Sequence, residues 1–532
     1  MPLKITLKNY RCFSDETPAT LLLDCGFVAF VGINNSGKSS LLKFFYELRS
    51  IFATLSGDLD GLLNIVMGTK VGLSGVSEVF DLQQLFFNGN GRGIEVEIEL
   101  VGLCAQPPSI SVTRAQIFLD RTTTTWTANF FVGNASISSA FVRNDGNRSF
   151  HEGLLQAAGV READFQQIRA ACHEVARAYY VPSFRHITTF NPPTAAARSY
   201  YDINVGRPFI DMWDEFQAGN SGERRQRIDK LTNEIRELFL FNNLQINAAT
   251  DNETLRLMVN GKPFSLHEVG SGLAQFILVF GNAAFREPSF ILIDEPELSL
   301  HPSLQVKFLM KLAGYASKGV LFATHNLGLA RSVAETIYSV TADNAGSNIS
   351  ELNQTPRLAE LLGELNYEGY RPLGHEKVLL VEGKNDVKVF IEFLRMFGKD
   401  HEFVVIPIPD LKTKYSKDEL QEITRICPKI SAVIDSERAA PSNDVEDGRK
   451  IFAQHCKDLG IECHILERRA TENYLSEQAI KAIFGDTFVE LTPYEAFKDK
   501  SRWPKSENWK IVRKMDRSEI EGNDLGEFLK KI

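Results

Sequence analysis

The sequence predicts an α/β protein made of two successive units, each built around buried strands. Three observations lead there. The runs FVAFVG (27–32), SFILIDEP (289–296) and GVLFATHN (319–326) are short, apolar and end in polar groups, as strands buried on both faces do. A second alternation starts at residue 376 in strand, helix, strand, helix, strand order: KVLLVEG, DVKVFIEFLRMF, FVVIPIP, KDELQEITRI and ISAVID. That order is the signature of a small parallel sheet. The chain has 532 residues, 43% hydrophobic and 24% charged, which allows two or three domains with sizeable cores.

Taken in order, ITLKNYRCF and FVAFVG read as strands and SSLLKFFYELRSIF as a helix. IEVEIELVGL (94–103) alternates charged and apolar residues like a half-exposed antiparallel strand. From about 151 to 245 the pattern turns helical. READFQQIRAACHEVARAYY and RRQRIDKLTNEIRELFLF place apolar residues three and four apart around the polar loop SFRHITTFNPPTAAARSYYD. The expected boundaries are therefore 1–345 with a helical insert at about 151–245, a linker at 346–375, and a second unit at 376–532.

The net charge of −9 disfavours non-specific coating of nucleic acid, so any such contact must be local. Seven scattered cysteines show no C-x-x-C spacing, and their odd number argues against a disulfide framework. The N-terminus lacks the apolar core of a signal peptide, and no apolar run approaches the roughly 18 residues that span a membrane. A cytoplasmic location is the expectation.

The sharpest motif is Gly32-Ile-Asn-Asn-Ser-Gly37-Lys38-Ser39, which fits G-x-x-x-x-G-K-[ST] between a strand and a helix. Backbone N–H groups of such a loop wrap phosphates, and the helix N-terminus adds a favourable field. Gly32, Asn34, Asn35, Ser36, Gly37, Lys38, Ser39 and Ser40 are the candidate ATP contacts. Lys38 would reach the β and γ phosphates, and Ser39 would hold Mg²⁺. Asp294 and Glu295 end a buried strand. Asp294 would hold Mg²⁺ through water, and Glu295 would polarise the attacking water. His325 ends another strand, where it can sense the γ-phosphate. Ser271 and Gly272, in Val-Gly-Ser-Gly, open a helix and offer a second anion site.

A second group of acids follows. Glu382 and Asp386 flank the start of a helix after the strand VLLV, and Asp435 and Glu437 end the strand ISAVI. Paired carboxylates at two strand ends can converge on Mg²⁺ or Mn²⁺, and two such metals favour in-line attack on a phosphodiester. Glu472 is either a further ligand or part of a capping box begun by Thr471. SRWPKSENWKIVRKMDR (501–517) carries six Lys or Arg against two acids, with Trp503 and Trp509 between them. Such a segment can grip a backbone and stack on bases, or be an amphipathic surface helix. Lys505, then Lys510, could neutralise a scissile phosphate.

The loop, the Gly-Ser-Gly helix, the Asp-Glu strand and the His together resemble the ABC-type ATPase head of recombination-mediator and structural-maintenance proteins. Asn9-Tyr-Arg-Cys-Phe13 and Glu295-Pro-Glu-Leu-Ser-Leu-His301-Pro302 look like that branch too. The resemblance implies a homodimer in which Ser271 of one subunit completes the ATP site of the other. Gln83 or Gln84 could serve as the family's glutamine loop. Glu382-Gly383 and Asp435-x-Glu437 resemble a Toprim domain, whose pattern is Glu-Gly then Asp-x-Asp; Glu437 departs from it.

An ABC-type head followed by a Toprim domain resembles the overcoming-lysogenization-defect (OLD) family of ATP-dependent nucleases and the related ATPase–Toprim phage-defence proteins. That implies ATP-controlled, metal-dependent cleavage of DNA in anti-phage defence, in a dimer or larger assembly with the helical insert as a contact, or with a second defence protein. Two alternatives stay open. One is an ATPase sensor with a non-catalytic Toprim-like binding domain, and the other is a nuclease whose target is RNA such as tRNA.

Overall fold

The computed structural model describes residues 2–74, 81–101, 111–133, 135–137, 162–183, 199–218, 222–249, 254–297, 300, 302–343, 346–352, 377–408, 420–421, 424, 427, 429–497 and 503–532. The start of the helical insert, most of the loop 183–202, the linker beyond 352 and most of the helix expected at 417–426 lie outside them. The chain forms two compact units. The first comprises Met1–Leu300, Lys311–His325 and Tyr338–Leu352, and the second His301–Met310, Asn326–Ile337 and Asn353–Ile532.

In the first unit, an antiparallel sheet runs in the order Ala19–Leu23, Leu3–Lys8, Ile94–Leu100, Arg114–Leu119, Thr125–Val132, Val71–Gly72. Its strands bury alternate residues, as the alternation at 94–103 predicts. The first strand stops at Lys8, earlier than the sequence suggests. Asn9 and Arg11 take positive φ (58° and 50°), which turns Tyr10 and Arg11 toward Glu47. The helix expected at 39–52 is two helices, Lys38–Glu47 and Arg49–Ser56, with the break at Leu48. Beyond the break Arg49 grips Asp202 and donates to the Ala178 carbonyl at 2.6 Å.

The central sheet has the order Gly346–Glu351, Thr336–Asp343, Gly26–Val31, Gly319–Thr324, Phe290–Asp294, Tyr179–Val181. The last four strands are mutually parallel. Two expectations change here. Tyr179 and Tyr180, read as the end of a helix, form a strand because pairing beside Ile291 and Leu292 buries both rings. Gly346–Glu351, read as linker, pairs antiparallel with Tyr338–Asp343.

The insert contributes the helices Gln166–Ala176, Arg207–Ala218 and Gly222–Leu238. Their apolar faces are committed to the core; Trp213 is fully buried and packs edge-on against Phe285. A three-stranded antiparallel sheet, Leu244–Ala249, Thr254–Val259 and Lys262–Ser265, precedes the helix Ser271–Arg286.

The second unit holds a four-stranded, wholly parallel sheet in the order Phe403–Pro407, Lys377–Val381, Lys429–Ile434, Glu462–Ile465. Val378, Leu380, Ile406, Ala432 and Ile434 form its core with Phe452 and Cys456. The first strand in sequence has its successors on opposite sides. The strand order therefore reverses beside Lys377–Val381, the kind of place where open α/β sheets present their carboxyl-end crevice. Among the described residues no helix is long and apolar enough to cross a membrane.

Gly319 shows how tightly the central strands meet. A Cβ there would lie 2.0 Å from the Gly26 carbonyl oxygen. Gly319→Ala should cost about 1–3 kcal/mol and lower the melting temperature by about 2–4 °C per kcal/mol. An unchanged melting curve would show that these strands can separate freely.

Candidate functional site

Parallel register brings the nucleotide-site groups to one sheet edge. Val31, the last residue before the loop, stands opposite Thr324, and Ala323 stands opposite Asp294. The loop, His325 and the acidic pair thus leave adjacent strands at their carboxyl ends. Gly37 sits at the start of the helix Lys38–Glu47 with φ 105°, a left-handed conformation that glycine adopts without strain. A Cβ there would also strike Cys12 and Ser347. At the other end of the helix, Glu47 accepts hydrogen bonds from Tyr10 (2.6 Å) and Arg11 Nε (2.9 Å). This is how the Asn-Tyr-Arg-Cys-Phe segment braces the loop.

Lys38 folds back over its own loop and donates to the carbonyls of Gly32 (2.9 Å) and Ile33 (2.8 Å). Burial pulls its pKa down, against the field of Asp294, Glu295 and Glu297. Burial pushes the Asp294 carboxyl up, opposed by a hydrogen bond from Ser39 and reinforced by Glu295. Asp294 Oδ1 is buried without a hydrogen-bond partner. An orphaned carboxylate oxygen beside a serine hydroxyl fits a hard cation such as Mg²⁺. Glu295, held at φ 52°, meets His325 Nε2 at 3.2 Å. Glu297, to which no role was given from sequence, accepts from Thr324 Oγ1 (2.6 Å) and His325 N (3.0 Å), tying the acidic turn to the histidine strand.

Asn34 and Asn35 are exposed at the loop tip, Ser36 is buried, and Ser40 lies in the first turn of the helix. Ser271 and Gly272 begin the helix Ser271–Arg286, with Ser271 exposed. No described hydrogen bond joins them to the loop. Gln83 lies on a 3-10 turn and exchanges hydrogen bonds with Arg121, both at 3.1 Å. Gln84 is exposed.

In the second unit, four carboxylates face one another where the strand order reverses. Glu382 Oε2 accepts from Asp435 N at 2.9 Å, across the neighbouring strand end. Asp386 closes the helix N-terminus by accepting from Gly383 N at 2.9 Å. Asp435 Oδ1 accepts from Thr471 N (2.9 Å) and Oγ1 (3.1 Å). Glu472, 4% exposed, accepts from Asn508 at 3.2 Å and pairs with Lys505 at 3.2 Å.

Burial, then Glu472 and Glu382, push the Asp386 pKa up to about 8. Burial, then Asp386, Glu382 and Glu472, raise Asp435 well above the carboxylate range. Glu382 is raised by burial too, although Arg449 opposes this. Burial works against the charge of Lys505, but Glu472, Asp435 and Asp386 outweigh it and raise its pKa. Among the described residues no three His, Cys, Asp or Glu side chains already stand in metal-holding geometry. The described bonds use one oxygen each of Asp386, Asp435 and Glu472 and leave the second. The donor set, carboxylates short of positive charge, is that of a hard divalent cation.

Glu437 lies near enough to Glu382 for its charge to raise that carboxyl, and it also has a cation of its own. It adopts φ 53° and pairs with Arg469 at 2.6 Å, with its side chain 39% exposed. The capping reading of Thr471 gives way: the cap is Ala470 with Asn473 reaching back, which frees Thr471 to hold Asp435. The base-stacking reading of Trp503 and Trp509 is also overturned. Both are buried, 1% and 2% exposed, because the indoles complete the core. Trp503 packs on Phe484 and Phe497, and its Nε1 donates to Asn508 at 2.8 Å, so the segment positions Glu472. Lys510 pairs with Glu507 at 3.2 Å. Sequence reasoning missed Arg449, whose Nε donates to the Asp435 carbonyl at 2.9 Å while Nη2 clamps Glu382. A lone Arg in the first turn of a helix carries no local signal; only packing reveals it.

Comparison with known proteins finds likeness over part of the chain. Residues 186–331 match a family described as "AAA domain, putative AbiEii toxin, Type IV TA system". That span holds Ser271, Asp294, Glu295 and His325. Two relatives from Brucella abortus, strain 2308 and biovar 1 strain 9-941, are each described as "Putative peptide import ATP-binding protein". Each is 29% identical over 104 residues, 19% of this chain and 30% of the relative. The chain thus spans about a third of the length of these relatives. Among solved structures, an Smc head bound to the C-winged helix domain of ScpA aligns over 66% of this chain and 96% of its own, at 14% identity and TM-score 0.36. The SMC head domain from Thermotoga maritima aligns over 66% and 100%, at 14% identity and TM-score 0.34.

The raised Asp386 pKa has a consequence for stability. The unfolded carboxyl loses its proton near pH 4, the folded one near 8, so metal-free stability falls as pH rises between them and the deficit is complete above about 8. Asp386→Asn keeps an acceptor for Gly383 N and removes the charge. In chelator, this variant should melt above wild type at pH 9, by about 2–4 °C per kcal/mol of repulsion relieved, and match it at pH 4. Parallel pH profiles for the two proteins would rule out the acid repulsion.

Proposed function

We propose that this chain, which carries an ATPase-type P-loop domain, is an ATP-regulated, divalent-metal-dependent endonuclease of the OLD type acting on DNA. The observation that carries the second activity is the convergence of Glu382, Asp386, Asp435 and Glu472 where the parallel sheet reverses its strand order. Buried carboxylates that raise one another's pKa mark a place built for a cation or a proton transfer. A Toprim-like domain has this parallel arrangement with acids at the strand ends. The description of the matched family as a toxin is in keeping with a role in phage defence.

In the first unit, Lys38 leaves the loop carbonyls for the β and γ phosphates. Ser39 would hold Mg²⁺, with Asp294 doing so through water. Glu295 orients the attacking water, while His325, kept beside it by Glu297, reads the γ-phosphate. Exposed Ser271 completes the ATP site of a second subunit, in the manner of ABC-type heads.

In the second unit, Glu382, Asp386, Asp435 and Glu472 would hold Mg²⁺ or Mn²⁺, which would activate water against a phosphodiester. Arg449 fixes Glu382, Thr471 fixes Asp435, and Asn508 fixes Glu472. Lys505 turns from Glu472 to the substrate phosphate.

One observation favours a rival reading. Glu437 is engaged by Arg469 in place of the second aspartate of the Toprim pattern, as a degenerate binding module would allow. Incubating the pure protein with plasmid DNA and with tRNA, with and without Mg²⁺ and ATP, separates the two readings and identifies the polymer.

Lys38→Ala should abolish ATP binding. Glu295→Gln should keep binding and slow hydrolysis by about 10²–10⁴-fold. Glu382→Ala should abolish cutting and leave ATP turnover within twofold. Continued Mg²⁺-dependent cutting by Glu382→Ala would remove the acid group from the reaction.

A further inference from the structure

Two stretches that follow nucleotide-site residues compact with the second unit: His301–Met310 and Asn326–Ile337. Glu297 lies four residues before His301, and His325 directly precedes Asn326. Asn326 caps the helix Leu327–Val333 by accepting from Leu329 N at 2.9 Å, and its amide donates to Gln305 at 3.4 Å. The two stretches are thereby tied together.

Past that helix, Glu335 forms an ion pair with Lys388, which is 1% exposed. Lys388 stands on the helix Lys384–Met396, two residues after Asp386. Lys384, at the start of the same helix, lies in the field of Arg331 and Glu335. Just beyond the helix C-terminus, Asp400 pairs with Lys307 at 2.7 Å. The helix that carries Asp386 is therefore held near both ends by groups from these two stretches.

A buried ammonium loses more on separation from its partner than a surface one, so the pair behaves as a stiff link. We propose that Glu335 and Lys388 are positioning residues that transmit the state of His325 to Asp386. When His325 turns to a γ-phosphate, the helix Leu327–Val333 follows. Through Glu335 and Lys388 it shifts the helix Lys384–Met396 and moves Asp386 against Asp435 and Glu472. This inference rests on the proposed ATP control of the acid site, and it names the link.

The test uses the full chain as wild type, Glu335→Gln, and the double variant Glu335→Leu/Lys388→Met. The double variant removes both charges of the pair, and nucleotide-free exchange at 384–396 as slow as in wild type shows that the second unit still folds. Hydrogen exchange over residues 384–396 is measured with and without a slowly hydrolysed ATP analogue and Mg²⁺, beside plasmid cleavage with and without ATP. Wild type should show a nucleotide-dependent change in exchange that the double variant loses, with ATP turnover within twofold. Its ATP effect on cleavage should fall to about one from a coupling that is typically about 5–150-fold.

No nucleotide response at 384–396 in wild type, or a full response in the double variant, overturns the link. Exchange that responds as expected in a protein that cuts no polymer supports the link and removes the nuclease reading. ATP-dependent cutting that survives in the double variant removes the link and keeps the nuclease.

Discussion

Parallel pairing of Gly26–Val31 with Gly319–Thr324, and of that strand with Phe290–Asp294, decides where the groups of the nucleotide site stand. Parallel strands end on the same side, so three segments remote in sequence deliver a phosphate loop, a histidine and two carboxylates to one edge. The pairing depends on close approach, and Gly319 allows it by bringing no side chain against the Gly26 carbonyl. Once that edge is set, smaller devices refine it: Gly37 takes the left-handed turn, Glu47 holds Tyr10 and Arg11, and Glu297 ties His325 to the acidic turn.

The second unit repeats the parallel geometry with different side chains at the strand ends. There the strand ends carry acids, and their environment is unfavourable to charge. Asp386 and Asp435 are buried, Glu472 and Glu382 raise both, Asp386 raises Asp435 further, and Lys505 supplies only part of the missing positive charge. Charges in such surroundings are costly unless compensated. Arg449, Thr471, Asn508 and Trp503 spend their hydrogen bonds keeping these acids in place. Such supporting structure around uncompensated charge is in keeping with the cation site proposed above.

The units also share chain. The segments that leave the nucleotide edge after Glu297 and after His325 both enter the second unit. A side-chain movement at that edge therefore has a short covalent route into the other compact body. Glu335, on one of those segments, pairs with buried Lys388 on the helix of Asp386.

By itself the sequence determined the α/β class, the Gly32–Ser39 loop, the Asp294–Glu295 and His325 strand ends, and the pairs Glu382/Asp386 and Asp435/Glu437. Each is local, because loop spacing and apolar runs ending in acids are written in consecutive residues. Tertiary structure decided the rest. Glu437 pairs with Arg469 while still raising Glu382, and Glu472, from a later segment, joins the acids; that arrangement depends on packing across strands. Trp503 and Trp509 look like a stacking surface in sequence and are core in the fold, since composition does not say which face of a segment is covered. Arg449 carries no motif, and the stretches that hold Glu297 and Asn508 do not say what those two side chains touch. They matter because burial brings them to charges that need partners, and burial is a property of the whole chain.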